Sequence, residues 1–334
     1  MSKTVLQIVV IVCCVCWPVA WPCAAYGAAK GPLRVQNRHP LYLMFLTPEP
    51  DSPRLIEKEH LLVSVSADYT SLYIDEANSE WSALMDMEMT VMDLSLSYGL
   101  SSRLNIGMTF PWISMNDGFL DGPLEDYHGF TGFPDYGKDK GPVDEFGYGI
   151  FADDKPWLDA ESGGLHLGDS VVSIKVQMID ARQGLASSLQ TLLKIPTGDS
   201  KHGFGSGRPD AGIVMLNRYG ISPLAFYLNP GYVLLSDPET QGADVQVRDI
   251  MTLLMGIEYQ ADDTWSLLGQ INAMSSPLGN TGIAQMDENS LELAMGLCAS
   301  MSNSMVFEFA FCEDLTRTAP DFTVHAAVRW EIDL

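Results

Sequence analysis

The sequence predicts an all-β protein, a closed antiparallel transmembrane β-barrel of about twelve strands with short turns at one end and long loops at the other. Three observations carry this reading. Segment after segment alternates apolar and polar residues with a period of two, the mark of a strand whose faces meet different surroundings. The links between these segments are alternately short and long. An export leader is followed by no second apolar run approaching the roughly 18 to 20 residues that a spanning helix needs.

The leader comes first. "MSKTVLQIVVIVCCVCWPVAWPCAAYGAAKG" has a basic start, an apolar run from Val5 to Trp21 and small residues at Gly27, Ala28 and Ala29. This pattern predicts a signal peptide over 1–29, cut after Ala29. Cys13, Cys14, Cys16 and Cys23 leave with it, so the exported chain keeps Cys298 and Cys312 and is not a disulfide scaffold. With 46% hydrophobic and 19% charged residues the chain is too apolar for disorder. A net charge of -24 argues against nucleic acid as a partner, because phosphates need basic patches. Residues 30–58 are expected to form an N-terminal periplasmic segment ahead of a barrel over 59–334.

The period-two segments run near 60–74, 83–98, 104–115, 166–179, 185–196, 210–219, 223–235, 247–260, 264–275, 287–301, 304–313 and 321–334. In the first, Val63, Val65, Ala67 and Tyr69 alternate with Ser64, Ser66, Asp68 and Thr70. In the second, the apolar phase shifts from Met85, Met87, Met89 and Val91 to Met92, Leu94, Leu96 and Tyr98, which predicts a β-bulge near Val91. The tight links fall around 99–102, 181–184, 220–222, 261–263 and 302–303, with the longest external loop at 116–165. An even strand number lets the last segment, ending "FTVHAAVRWEIDL", pair antiparallel with the first and leave no open edge in hydrocarbon. Tyr98, Tyr219, Tyr259, Trp265 and Trp330 all fall at the short-turn end, where an interfacial girdle of aromatics would sit.

With that phase, the candidates for lining a pore are Asp68, Asp86, Glu88, Lys175, Lys194, Arg248, Glu258, Glu292, Glu308, His325, Arg329 and Glu331, joined by Gln177, Gln190, Gln270 and Asn272. Buried charges must be paired or wetted, so this set implies either a water-filled pore or an interlocked plug of salt bridges. In the long loop, Asp121, Glu125, Asp126, His128 and Asp135 are candidates for a cation or partner site. Their spacing lacks the start of an EF-hand, and a solvated acidic surface explains them as well. Phe119, Tyr127, Phe130, Phe133 and Tyr136 in the same loop suggest that part of it packs as a lid or inner constriction. No histidine spacing suits zinc and no G-x-S-x-G element is present, so no metal, cofactor or catalytic residue is expected. His325 is the residue that a membrane-lipid hydrolase would have to use.

The stretches "QNRHPL", "YGLSSRLNIGMTFPWI", "GFLDGPLEDYHGFTGFPD", "LGDSVVSIKV" and "LKIPTGDSKHGFGSGRPD" resemble a family of Gram-negative outer-membrane barrels defined as a domain of unknown function. "YGLSSRL" and "IPTGDS" are also similar to barrels of the phenol-degradation and FadL-like transporter type. The resemblance implies location and fold, and lends no catalytic residue. Together these readings lead to the expectation of a monomeric barrel in the bacterial outer membrane, meeting lipid and the insertion machinery. It would be a narrow channel or porin-like transporter for small solutes gated by its acidic loop; a closed structural or binding barrel is the alternative, and a lipid hydrolase a third.

Overall fold

Pairing the last strand with the first settles the architecture. In the computed structural model, which describes residues 29–120, 122, 145–180 and 184–334, β1 (His60–Ala77) pairs antiparallel with β15 (Phe322–Asp333), from His60 opposite Asp333 to Ser71 opposite Phe322. From β1 the sheet continues through β2 (Trp81–Ser101) and β3 (Leu104–Asn116) to β7 (Ser170–Ile179) and β8 (Gly184–Ile195). It runs on through β9 (Asp210–Ile221), β10 (Leu224–Leu234), β11 (Ile250–Gln260), β12 (Trp265–Met274), β13 (Ser290–Ser300) and β14 (Met305–Asp314) back to β15. The result is a closed 12-strand antiparallel barrel, with each strand at a position where the sequence alternates. Three shorter strands stand outside this ring. β4 (Gly147–Ala152) and β5 (Lys155–Asp159) form a hairpin on the outer extension of β2, and β6 (His166–Leu167) pairs with β3.

Closure leaves one face of each strand to lipid. Val65, Met92, Ile106, Met215, Phe226 and Val328 stand exposed on the outer face, an apolar belt far larger than a soluble monomer carries. Tyr98, Tyr219, Tyr259, Trp265 and Trp330 share this outward phase at the short-turn rim. The barrel is therefore a membrane-spanning one of the bacterial outer-membrane kind. No helix among the described residues is long and apolar enough to cross a membrane.

The phase shift in the second segment has a different cause from the one expected. The β1–β2 register runs without interruption through Asp68 opposite Val91, so there is no bulge at Val91; the irregularity in β2 lies at Gly99/Ser101. What changes is the medium. Met92, Leu94 and Leu96 face lipid, whereas further up the same outward face stand Thr90, Glu88 and Asp86, above the membrane. Met85, Met87, Met89 and Val91 point inward, into an apolar core at the long-loop end. Asp86 and Glu88 are thus not lumenal, contrary to expectation: Glu88 accepts from the Tyr69 hydroxyl and the Leu120 amide on the outside of the wall. Arg248 is also misplaced by the sequence reading. It precedes β11 in a loop and donates to the Leu278 carbonyl.

A second difference lies at the N-terminus. Residues 30–58, expected as a separate periplasmic segment, run inside the barrel. The segment ascends from Lys30, turns through α1 (Pro40–Leu43) and descends to leave at the short-turn rim, where the Glu59 amide donates to the Gly99 carbonyl at 2.9 Å. A Cβ on Gly99 would stand 2.0 Å from the Glu57 carbonyl oxygen, so the exit needs glycine at that point. Cys298 and Cys312 face the lumen with free thiols. Cys298 lies opposite Glu308 and Cys312 opposite Ala294, too far apart along the ladder to bridge.

The position of the membrane boundary on β2 is testable. Leu94→Arg places a charge in hydrocarbon and should cost about 2–4 kcal/mol, while Leu84→Arg, on the same face above the boundary, should cost less than about 1 kcal/mol. Urea unfolding in lipid vesicles measures both, and equal losses would contradict the boundary.

Candidate functional site

The chemistry of this chain is concentrated where the hairpin of residues 30–58 meets the barrel wall. The ascending arm is held by side chains that alternate inward from the strands. The Lys30 amide donates to Glu258 Oε1 at 2.9 Å and the Gly31 amide to Oε2 at 3.3 Å. Gln270 grips Leu33 from both sides, accepting from its amide at 2.9 Å and donating to its carbonyl at 3.0 Å. The Arg34 amide donates to Glu308, and Asn37 to Ser290 Oγ at 2.7 Å. These lumenal side chains do for the arm what a neighbouring strand would do for an edge.

Arg38 is the centre of the site. It is 3% exposed, and its guanidinium spans Asp68 and Asp93, at 2.5 and 2.6 Å. Asp68 Oδ1 lies 2.6 Å from His325 Nδ1. The other imidazole nitrogen is 3.2 Å from Glu308 Oε1, and Glu308 Oε2 is 3.4 Å from Arg329. A continuous chain of buried charge therefore runs from Asp93 through Arg38, Asp68, His325 and Glu308 to Arg329. Acid and base alternate along it, so that each buried charge has a counter-charge beside it.

At the top of the hairpin His39 caps α1, its Nδ1 accepting from the Leu41 amide at 3.1 Å. Burial lowers its pKa to about 3 and keeps the ring neutral, as that acceptor role requires. Lys194 anchors the turn from β8. Its ammonium lies 2.9 Å from both Asp169 and Asp210 and donates to the Met44 carbonyl and Ser206 Oγ at 2.6 Å each. On the way down, Gln36 donates to the Thr47 carbonyl at 2.7 Å and Arg34 pairs with Glu49 at 2.6 Å, bracing one arm on the other. Burial raises the Glu49 carboxyl to about 7, against the pull of Arg34. Lys175 pairs with Asp51, Ser188 donates to the Pro53 carbonyl at 2.6 Å, and Arg54 reaches Glu331 at 3.4 Å.

Above the hairpin the lumen is apolar. Leu41, Tyr42 and Phe45 join Leu72, Ile74, Met85, Met87 and Met89 from the wall, Trp157 and Leu158 from the β4–β5 hairpin, and Phe204, Val245, Ile283 and Met286 from the other long loops. Below this cap, between the hairpin and the wall formed by β1, β2, β3, β7 and β8, lies a cavity of about 410 Å³. Arg34, Arg38, Glu49, Asp93, Lys175 and Lys194 line it, and it reaches the short-turn rim at Asp263 and residues 302–304.

Of the sequence-derived candidates, Asp68, Lys175, Lys194, Glu258, Glu308, His325, Arg329 and Glu331 face the lumen and contact the hairpin or its charge chain. Glu292 faces inward opposite Asp314. Asp121, Glu125, Asp126, His128 and Asp135 lie outside the described residues. Among those described, no group of acids and histidines gathers as a metal site. Sequence reasoning missed Arg34, Arg38, Asp93, Asp169 and Asp210. The signal available was compositional: in a strongly acidic chain, the short stretch over 30–58 carries Lys30, Arg34, Arg38, Arg54 and Lys58.

The family model described as "Protein of unknown function (DUF3187)" matches residues 6–332. The chain belongs to the DUF3187 family. No curated protein matches the DUF3187 chain. Among solved structures it is similar to the COG4313 outer membrane channel from Pseudomonas putida F1, with a TM-score of 0.58 and 14% identity, over 86% of this chain and 100% of that one. It also matches the NanC porin (TM-score 0.47, 10% identity, 81% of this chain and 100% of that one). A further match is the P. putida toluene transporter TodX (TM-score 0.35, 11% identity, 89% and 93%). The first of these shows a shared barrel fold.

If Arg38 neutralises two carboxylates at once, Arg38→Ala leaves both buried and uncompensated. The loss should be about 3–5 kcal/mol by urea unfolding, with Arg38→Lys intermediate because an ammonium cannot span both partners in a guanidinium's planar fork. A loss under about 1 kcal/mol, the value of an exposed pair, would show that water reaches the site.

Proposed function

We propose that the DUF3187 barrel is an outer-membrane channel for small polar solutes, held shut in this conformation by its own N-terminal hairpin. The observation that carries the reading is the division of charge. The wall holds Asp68, Asp93, Glu258, Glu308 and Glu331, and the hairpin brings the bases that neutralise much of it. The polar cavity beside the hairpin already forms part of a path from the short-turn rim. A solved barrel of this fold, named as an outer membrane channel, supports the same class.

Removal of the hairpin leaves a wall richer in acids than in bases. The open form then favours cations or polar neutral solutes over anions. In this reading the acidic loop over 116–165, as its composition suggests, acts as a second gate. The apolar cap favours a second reading, a permanently closed barrel that binds a partner through its loops, because a cap of this kind resists wetting. The hydrolase reading has less support: His325 is buried between Asp68 and Glu308 in the lumen and has no access to lipid.

Planar-bilayer conductance separates the two. The intact protein should be silent or open rarely, and a variant lacking residues 32–55 should conduct steadily with cation selectivity. Silence from both, with the shortened barrel shown to be folded, would favour the closed barrel.

A further inference from the structure

Where the hairpin leaves the wall uncovered, the lumen is lined by hydroxyls. Ser95 and Ser97 on β2, Thr109 on β3, Ser173 on β7 and Gln190 on β8 alternate inward and face the cavity of about 410 Å³. Ser97, Gly107 and Ser173 lie in one row across β2, β3 and β7. A Cβ on Gly107 would stand 2.7 Å from Ser97 Oγ and 2.7 Å from Ser173 Oγ. The absent side chain thus lets the two hydroxyls lean in over the strand, within twice that distance of each other. One ligand hydroxyl, with hydrogen bonds of about 2.7–2.8 Å, spans such a gap. In the next row Ser95 and Thr109 satisfy each other at 2.9 Å. The side-chain polar groups of Ser97, Ser173 and Gln190, all half-buried, meet no hydrogen-bond partner among the described residues.

The charges deep in the same cavity are already answered. Arg34 pairs with Glu49, Arg38 with Asp68 and Asp93, Lys175 with Asp51, and Lys194 with Asp169 and Asp210. A charged ligand finds no spare counter-charge in these pairs. It would gain one only by breaking a pair and leaving the other member buried alone, which is costly. Beside the hydroxyls stand apolar groups, Phe45, Ile113, Val171 and Leu192. The volume falls in the range of about 300–1,000 Å³ that small-molecule sites occupy, and the mixture of apolar surface with a few convergent polar groups is what such sites present.

We propose that this cavity binds a neutral, polyhydroxylated solute of the sugar or sugar-alcohol kind, one hydroxyl bridging Ser97 and Ser173 over Gly107 and the C–H face of the molecule lying against Val171 and Leu192. A hydroxyl both donates and accepts, as a serine does, so ligand and wall satisfy each other without any charge being moved. The ion pairs of the hairpin stay intact. The solute therefore binds the closed form, entering from the short-turn rim that the cavity reaches. That this molecule is the one carried rests on the channel reading; that it binds does not.

Calorimetric titration of the folded barrel in detergent tests the class. The probes are glucose, sucrose and sorbitol, set against glucuronate and glucamine, which carry a charge on a comparable carbon chain. At least one neutral probe should bind, and both charged ones at least about tenfold more weakly. A barrel carrying Ser97→Ala and Ser173→Ala together, its fold checked by the mobility of the unheated protein in gels, should bind the neutral probe about tenfold more weakly, since each lost hydrogen bond accounts for a factor of roughly two to ten. Binding by none of the neutral probes, equal or tighter binding of a charged one, or unchanged binding by the double variant would overturn the proposal. The comparison among probes uses the unaltered chain, so it decides the matter even where the variant fails to fold. No conductance enters these measurements: their failure leaves the channel reading standing, and a silent bilayer leaves the bound solute.

Discussion

A barrel that closes in hydrocarbon gives each inward carboxylate the same problem. It must find a cation or water, and the wall strands that carry Asp68, Asp93, Glu258 and Glu308 do not themselves carry enough bases in reach. The hairpin of residues 30–58 is the solution adopted. Its Arg38 bridges two acids, its Arg34 amide meets a third, and its backbone carbonyls accept from Lys194, Ser188 and Arg329. Plug and wall therefore fold as one unit. Such a network adds little net stability over an apolar filling of equal volume, but removing one member is costly. Its effect is to specify where the hairpin sits.

The same strands meet several environments along their length, and side-chain pattern follows environment. On β2 the outward face is apolar from Leu100 to Met92 and polar from Thr90 to Asp86, while the inward face runs from Ser97, Ser95 and Asp93 to Val91, Met89, Met87 and Met85. The two faces exchange polarity at one height. Below it the outside is lipid and the inside polar; above it the outside is water and the inside an apolar core built like that of a soluble protein. That core seals the mouth, and the hairpin's own Leu41, Tyr42 and Phe45 are part of it. Opening a path therefore requires more than a loop moving aside, since the cap and the hairpin share residues.

How much of this was legible in the sequence differs element by element. Period two located each strand, because a strand between oil and a polar lumen has no other pattern, and an even count with short turns on one side led to closure. The aromatics at Tyr98, Tyr219, Tyr259, Trp265 and Trp330 were legible for the same reason: a membrane interface selects amphipathic rings wherever a strand crosses it. Lumenal Asp68, Lys194, Glu258, Glu308 and His325 followed from phase alone. Asp86 and Glu88 did not, because they were assigned opposite their apolar neighbours on the assumption that apolar means lipid-facing, and above the membrane the opposite holds.

What the sequence by itself determined is the barrel, its strand phase, its place in a membrane and the acidity of its lumen, all of which depend on neighbours one or two positions away or on composition. Only the tertiary structure decided which cations answer those acids. Arg38 reaches Asp68 and Asp93, and the Lys30 amide reaches Glu258, 228 positions further along the chain. No local pattern in "KGPLRVQNRHPLYLMFLTPEPDSPRLIEK" marks it as lumenal: it has no strand period, and its bases read equally well as a solvated leader. Its position follows from the charge and shape of a cavity that exists only after the wall has closed.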